Sequence, residues 1–538
     1  MYVHTPTKSL VLRVRDPFSI RELLPAHSKI VSFPDGHNIA LKWTIESAKL
    51  LNNIGIAAPS PIKSFYRFPR PPHYELLDHQ VEMASFSTLN DKMFNLSEPG
   101  AGKTAASLWA MDFMMDAGVI ERALIICPLS TTKKTWADDI FQVLPHRTCT
   151  IVHGTMERRM KNLSQPVDFY ILNHDGIDLE AIAVEVRRRT DIGLIVVDEA
   201  SFFRNSQTDR YRFLMWVMEK KTRLWLITGT PCPNYPTDAW ALSKLVCPHL
   251  SPKFFGRFRD EVMVKNNFND RKWDLRAGSH ERAYEIMQPA IRFLKKDVLN
   301  LPPLIGPRDS ETTLSTEQKA AVKAMRTEMT IFAKSTKITA VNGADKLIKL
   351  RQILCGSVKD PKTGQYHHLD AGPRIRDLRT LISQASGKVL VIVPFTGILQ
   401  LLEQELPKPD KHSGLPGYSV ETLYGKIAQS ERNRRIERFK TQEDPHVLAC
   451  HPRVMAHGLN FTEADYTIFY APIDSNDEYQ QVIERFNRLG QKRTMYIQRM
   501  VASPIEAAIY KRVDDRGTMQ SSILELYNAV INGTEDDL

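Results

Sequence analysis

Between residues 76 and 246 the short apolar runs ALIICP, TCTIVH, DFYILN, LIVVDE and LWLITGTP alternate with stretches of helical periodicity. Runs that are apolar at successive positions suit strands buried on both faces of a parallel sheet, with crossover helices between them. A second set begins near residue 388 with KVLVIVP and continues through SVETLY, HVLACH, YTIFYAP and TMYIQRM. The stretch between the two sets is mostly helical in pattern and rich in Lys and Arg. Ahead of the first set, LVLRV predicts a strand, SIRELLPAH a helix and KIVSF a strand before the Pro34-Asp35-Gly36 turn; IALKWTIESAKLLNNI predicts one amphipathic helix. The proline-rich FPRPPHYE (68–75) reads as a stiff connector, because proline fixes φ and cannot continue a helix. The pattern therefore predicts an α/β protein with five parts. These are a small N-terminal α+β module (1–70), a first lobe (71–246), a helical insertion and linker (247–375), a second lobe (376–515) and a C-terminal helix with an acidic tail (516–538).

Two segments of the first lobe carry the chemistry. SEPGAGKT (97–104) precedes apolar SLWAMDFMM at helical spacing. Gly100, Ala101 and Gly102 form a loop whose backbone N–H groups can approach phosphate oxygens closely, since neither glycine has a Cβ. Lys103 would reach the β- and γ-phosphates of a nucleoside triphosphate, and the Thr104 hydroxyl would sit on Mg²⁺. Ser97 replaces the first glycine of the general pattern. The strand LIVVDEAS (194–201) then ends in an acidic pair. Asp198 would hold Mg²⁺ and Glu199 would orient and deprotonate the attacking water, because phosphoryl transfer depends on positioning and charge stabilisation. LWLITGTP ends in Thr228, Gly229 and Thr230, small residues able to link the triphosphate site to an adjoining ligand. In the second lobe, QVIERFNRLGQKR (481–493) spaces Arg485 and Arg488 three apart on an expected helix. Two readings fit that pair: arginine fingers on a γ-phosphate, or a basic face on solvent or on nucleic-acid phosphates.

Bulk properties narrow the class. A chain of 538 residues, 42% hydrophobic and 25% charged, is expected to form several soluble domains. No apolar stretch approaches the roughly eighteen residues of a membrane span, and the N-terminus lacks the apolar core of a secretory signal. Six cysteines are scattered without a C-x-x-C pair, so neither zinc nor a disulfide framework is expected, in keeping with a reducing cytoplasm. Net charge is +10, with a sequence pI near 9.1, which favours a polyanionic partner.

Taken in order, these motifs resemble superfamily 2 helicases, and within them the Swi/Snf-type double-stranded DNA translocases. The resemblance runs over residues 76–513. LLDHQ is similar to the adenine-recognising glutamine motif, which makes Gln80 the implied base contact. SEPGAGKT resembles motif I, LIICPLSTTKKTW motif Ia and ITGTPCPNYPTDAWALSKLVCP motif III. FLKKDVLNLPPL and KLRQILCGS are similar to family-specific segments between the lobes. KVLVIVPFTGILQLLEQEL resembles motif IV, HGLNFTEADYTIFY motif V and QVIERFNRLGQKR motif VI, where Gln481 is an implied nucleotide contact. The resemblance implies two tandem RecA-like lobes, ATP with Mg²⁺, and Lys103, Glu199, Arg485 and Arg488 in catalysis. It also implies a DNA track gripped through phosphates by Ser130, Thr131, Lys133 and Lys134 in the first lobe, and by Thr396, His457 and Asn460 in the second. Trp136 is expected to pack as a core residue. The chain departs from the family at Ser201, where His is usual, at Leu77, where Arg is common, and at His457 and Asn460, where small residues are usual.

The N-terminal module resembles the substrate-recognition modules of fork-remodelling, annealing-type relatives. Three functions stay open on the sequence: a duplex-DNA translocase remodelling forked or branched DNA in replication, recombination or repair, a strand-separating helicase, and a DNA-binding scaffold that no longer hydrolyses ATP. The first is preferred, acting as a monomer in the cytoplasm of a bacterial or phage-infected cell, or in the nucleus of a eukaryote.

Overall fold

The computed structural model describes residues 1–25, 28–33, 36–72, 74–177, 181–232, 235–266, 273–335, 340–410, 414–455 and 460–514. Two compact units emerge, Met1–Val298 and Leu299–Leu538. Among the described residues no helix is long and apolar enough to cross a membrane.

The first unit opens with strands β1 (Tyr2–His4), β2 (Ser9–Leu12), β3 (Lys29–Phe33) and β4 (Gly36–Lys42), in an antiparallel sheet of order β1-β2-β4-β3. Helices α1 (Pro17–Glu22) and α2 (Ile45–Asn53) belong to the same module. One sequence expectation fails here: Ile39 to Lys42 form a strand, and the helix starts only at Ile45. Ile39, Leu41 and Trp43 are buried at alternate positions, the two-residue period of a strand. Thr44 then caps the helix by accepting the Ser47 N–H. The module is not a free appendage. Ile45 and Ile62 enter the core of the adjoining lobe, and Ser60 Oγ meets Thr88 Oγ1 at 2.6 Å.

That lobe contains β5 (Lys92–Asn95), β6 (Arg122–Cys127), β7 (Cys149–Val152), β8 (Phe169–Asn173), β9 (Ile192–Asp198) and β10 (Leu224–Ile227). A short hairpin follows, β11 (Met263–Lys265) with β12 (Trp273–Leu275), and then β13 (Ala290–Ile291). The main sheet runs β13-β5-β10-β9-β6-β8-β7, parallel throughout. Successive residues point to opposite, equally buried faces. Phe94, Ile126, Val197 and Leu226 enter one core; Met93, Ile125, Val196 and Trp225 enter the other. Burial of both faces is why these strands read as continuous apolar runs. Helix α3 (Asp78–Leu89) precedes β5, and α4 (Lys103–Asp116) follows it.

The connector between module and lobe is docked, not a spacer. Trp109 of α4 donates its indole N–H to the Pro69 carbonyl at 2.7 Å. Tyr66 donates its hydroxyl to Asp112 Oδ2 at 2.6 Å, and Phe68 sets its ring edge-on to Trp109 at 5.5 Å. Phe68 is buried with φ of +49°, a left-handed conformation held by this packing.

The second unit contributes β14 (Leu304–Glu311), the hairpin β15 (Ser357–Lys359) with β16 (Tyr366–His368), then β17 (Lys388–Ile392), β18 (Val420–Leu423), β19 (Val447–Cys450), β20 (Ala464–Phe469) and β21 (Met495–Val501). Its sheet is again parallel, in the order β14-β21-β20-β17-β19-β18. Arg374 and Glu506, both fully buried, form a two-pronged ion pair at 3.0 and 3.1 Å that ties the helix Gly372–Ser383 to the helix Pro504–Asp514. The span 247–375, expected as a helical insertion and linker, contains the boundary between the two units. Residues to Val298 complete the first unit, residues from Leu299 belong to the second, and each part supplies a strand to a main sheet. The expected C-terminal helix and tail (516–538) lie outside the described residues.

Candidate active site

Three strands of the first lobe end in register. Ile227 of β10 aligns with Asn95 of β5 on one side and with Asp198 of β9 on the other. With strands about 4.8 Å apart, Asn95 and Asp198 lie on the order of 10 Å from each other. The phosphate loop, the Thr228–Thr230 turn and the acidic pair therefore leave the same edge of the sheet, at the carboxyl ends where parallel sheets bind ligands.

The loop is held from several directions. Asn95 Oδ1 accepts the Ser97 N–H, and Lys103 Nζ donates to the Ser97 carbonyl at 2.6 Å. Gly100 and Gly102 have φ of +86° and +81°. Gly102 precedes α4 as its N-cap without a side-chain cap, so the first N–H groups of the helix face the loop. Lys103 and Thr104 are half-buried at that helix start. Gly229 touches the loop as well: a Cβ there would come 2.5 Å from Pro99 Cδ. A further support went unread in the sequence. The segment after β13 runs beside the loop, with Leu96 N–H bonded to Ile291 O, Glu98 N–H to Phe293 O, and Lys295 N–H to Glu98 Oε2. Ser97 Oγ accepts the Phe293 N–H at 3.1 Å, which gives the serine in place of glycine a specific job.

The acidic pair is built as firmly. Asp198 Oδ2 accepts the indole N–H of Trp136 at 3.0 Å, and Oδ1 accepts the Glu199 N–H at 3.1 Å. His174 Nε2 donates to the Asp198 carbonyl at 2.9 Å and packs its ring against Phe202 and Phe203. Trp136 is buried, as expected, but its N–H also orients the carboxylate; the tryptophan alone gave no sign of this. It sits in the π-helical turn Thr132–Ala137, an irregularity that recurs at functional sites. Glu199 has φ of +53°, a conformation that non-glycine residues rarely adopt and that is concentrated at functional sites. Ser201 is buried, and its carbonyl accepts from Arg204 at 3.1 Å.

Gln80 lies beneath the phosphate loop. Its side chain is fully buried, with Oε1 accepting the Leu77 N–H and Nε2 donating to the Tyr74 hydroxyl at 2.8 Å. It lies directly under Gly102, where a Cβ would come 2.0 Å from Nε2. In this conformation the Gln80 amide lies against the phosphate loop. Neighbouring His79 donates from Nε2 to the Ala101 carbonyl at 3.0 Å, and burial holds its pKa below the ordinary value.

Among the expected DNA contacts, Lys133 is exposed. Thr131 is buried, and its hydroxyl donates to the Pro128 carbonyl, so it is not directed at a phosphate as expected. The side chains of Ser130 and Lys134 lie outside the described residues, as does all of His457. In the second unit Thr396 is half-buried at the start of the helix Thr396–Glu405. Asn460 Oδ1 is buried with no hydrogen-bond partner among the described residues. Helix α5 (Asn476–Phe486) carries Gln481 and Arg485, both half-buried. Arg488 lies beyond the helix, because Asn487 at its C-cap leaves helical geometry with ψ of 75°. The expected one-face pairing of the two arginines over three helical residues therefore fails. The Arg485 carbonyl accepts the Phe461 N–H, which joins the two motifs of that unit.

Comparison with known proteins adds the family context. A SNF2-related domain matches residues 93–362, and a helicase conserved C-terminal domain matches residues 373–490. Putative protein p41 of Acyrthosiphon pisum secondary endosymbiont phage 1 is 22% identical over 481 residues, covering 85% of this chain and 98% of that protein. The human DNA annealing helicase and endonuclease ZRANB3 is 23% identical over 83% of this chain, which spans only 40% of that relative's length. The Sulfolobus solfataricus SWI2/SNF2 ATPase core in complex with dsDNA is 20% identical, with a TM-score of 0.38, over 87% of this chain and 97% of that one.

Proposed function

The chain belongs to the SNF2-related family, a DNA-dependent ATPase built on two RecA-like lobes, and we propose that it is an ATP-driven translocase on duplex DNA that remodels forked or branched substrates. The observation that carries the proposal is the flush ending of β5, β10 and β9, which sets Lys103, Thr228–Thr230, Asp198 and Glu199 along one sheet edge.

In this reading Lys103 moves from the Ser97 carbonyl to the β- and γ-phosphates of ATP. N–H groups of the loop and of the α4 start take the remaining phosphate oxygens. The Thr104 hydroxyl and the Asp198 carboxylate are hard oxygen donors of the kind Mg²⁺ prefers, and Asp198 is already oriented through Trp136 and the Glu199 N–H. These two residues would hold the ion, which screens phosphate charge. Glu199 accepts a proton from the water that attacks the γ-phosphorus as the bond to the bridging oxygen breaks, releasing ADP and phosphate. Arg485 and Arg488 stabilise the charge gathering on the transferred group. Movement along DNA then follows from phosphate grip that changes with nucleotide state, with Lys133, Thr396 and Asn460 as contacts and no base reading required.

The preference for forked substrates rests on the N-terminal module and on the naming of the human relative as an annealing helicase. The test is ATPase turnover with single-stranded, duplex and forked DNA side by side, with Lys103→Ala as control. Stimulation by duplex or fork that vanishes in Lys103→Ala supports the proposal. Stimulation by single strands alone favours a strand-separating helicase, and no turnover with any DNA favours a scaffold.

A further inference from the structure

We infer that Tyr74, in the connector between the N-terminal module and the first lobe, is a positioning residue for nucleotide binding that acts through Gln80 on the phosphate loop. The inference rests on the nucleotide site described above.

Gly102 occupies the left-handed region and has no side chain of its own to fix the loop. The space where a Cβ would stand is filled by the Gln80 amide. That amide carries two N–H donors and two lone pairs. One donor goes to Tyr74 Oη and one lone pair to the Leu77 N–H, so the amide cannot flip without breaking both bonds. Tyr74 is itself anchored to the helix that the loop feeds: its ring lies edge-on to Trp109 of α4 at 6.2 Å, and Trp109 is bonded to the Pro69 carbonyl of the same connector. Gly102 is thus gripped between its own helix and α3 through a single side-chain pair, Tyr74 and Gln80. His79, one residue away on α3, bonds the adjacent loop carbonyl of Ala101. Two consecutive residues of α3 support two consecutive residues of the loop.

Losing the Tyr74 hydroxyl leaves a buried amide N–H unsatisfied in the ligand-free protein and frees the amide to turn. The loop then samples conformations unfit for phosphate, and ATP affinity falls by the fraction of time spent there. The chemical step, which begins only once the loop is filled, is unchanged.

The experiment compares full-length parent, Tyr74→Phe, Gln80→Leu and the double variant, with Tyr66→Phe as a control that removes a nearby hydroxyl bonded to Asp112 and not to Gln80. Affinity for a fluorescent N-methylanthraniloyl ADP is titrated without DNA, steady-state ATPase is measured at saturating duplex, and melting curves confirm folding. Tyr74→Phe is expected to weaken nucleotide binding and raise KM by about tenfold with kcat within about twofold, the size of one lost buried hydrogen bond. Tyr66→Phe is expected to lower the melting temperature and leave KM unchanged. In the Gln80→Leu background Tyr74→Phe is expected to add nothing, because the two residues act in series. Unchanged affinity in a folded Tyr74→Phe protein overturns the inference, as does full additivity with Gln80→Leu. Failure of the parent protein to bind the nucleotide overturns the site reading itself.

Discussion

The Trp136 indole N–H bonds Asp198 Oδ2 at 3.0 Å, so a buried aromatic residue of one motif aims the carboxylate of another. The two residues lie 62 positions apart in the chain and meet because the turn after β6 folds back over the end of β9. Trp136→Phe keeps most of the packing and removes the donor. A hydrogen bond to a charged acceptor contributes about 1.5–3 kcal/mol, so kcat is expected to fall by tenfold or more while ATP KM moves less. Turnover matching the parent, in a protein with an unchanged melting curve, would show that Asp198 needs no such support.

Arg485 and Arg488 do not share a helix face, so each has to be tested alone. Under the proposed function both act on the γ-phosphate. Arg485→Lys and Arg488→Lys are then expected to lose turnover at saturating DNA almost as fully as the alanine variants, on the order of a thousandfold, because a point charge does not reproduce the planar fork. If lysine suffices for either one, and the alanine defect is a salt-sensitive loss of DNA affinity, that arginine belongs to the DNA track.

Deleting residues 1–67 removes Ile45 and Ile62 from the core of the first lobe, together with the Tyr66 bond to Asp112 and the Ser60 contact with Thr88. Two buried isoleucines represent about 3–6 kcal/mol of apolar burial. The truncated protein is expected to melt well below the parent, and its ratio of fork to duplex affinity, measured at one salt concentration, is expected to fall toward one. A stable truncation with the ratio intact would reduce the module to an ornament.

The two sheets were legible because strands buried on both faces are apolar throughout, as in LIVVDE and KVLVIV. The phosphate loop and the acidic pair were legible because their chemistry leaves few residue choices. Strand β4 was misread because Ile39 to Trp43 runs directly into a real helix, and alternation over so few residues resembles helical spacing. Strand β13 spans only two residues, too few for any periodicity, although it positions the segment that holds Ser97 and Glu98. Arg488 was placed on a helix because nothing in FNRLG marks the break after Phe486 as firmly as proline would. The motif points Gln80 to a base, and its contact with the loop becomes visible only from the close approach of Gly102.

His79 makes the phosphate loop sensitive to acid. Burial holds its folded-state pKa below the ordinary 6.5, and its neutral form donates to Ala101. Because the folded value is depressed, the unfolded chain takes up the proton first. The stabilisation is complete above the unfolded pKa and declines as pH drops below about 6.5. The melting temperature of His79→Gln is therefore expected to fall less between pH 7.5 and 5.5 than that of the parent. Parallel pH profiles would contradict the assignment.

Displacement of a triplex-forming strand from duplex DNA tests the central claim most directly, since it reports movement along the duplex without requiring strand separation. The parent protein with ATP is expected to release the third strand and leave the underlying duplex intact. Glu199→Gln, which keeps the carboxylate's shape without a general base, is expected to bind ATP and DNA and to release nothing. Vigorous duplex-stimulated hydrolysis by the parent with no triplex displacement would contradict translocation, and displacement by Glu199→Gln at the parent's rate would contradict the role of Glu199 in driving it.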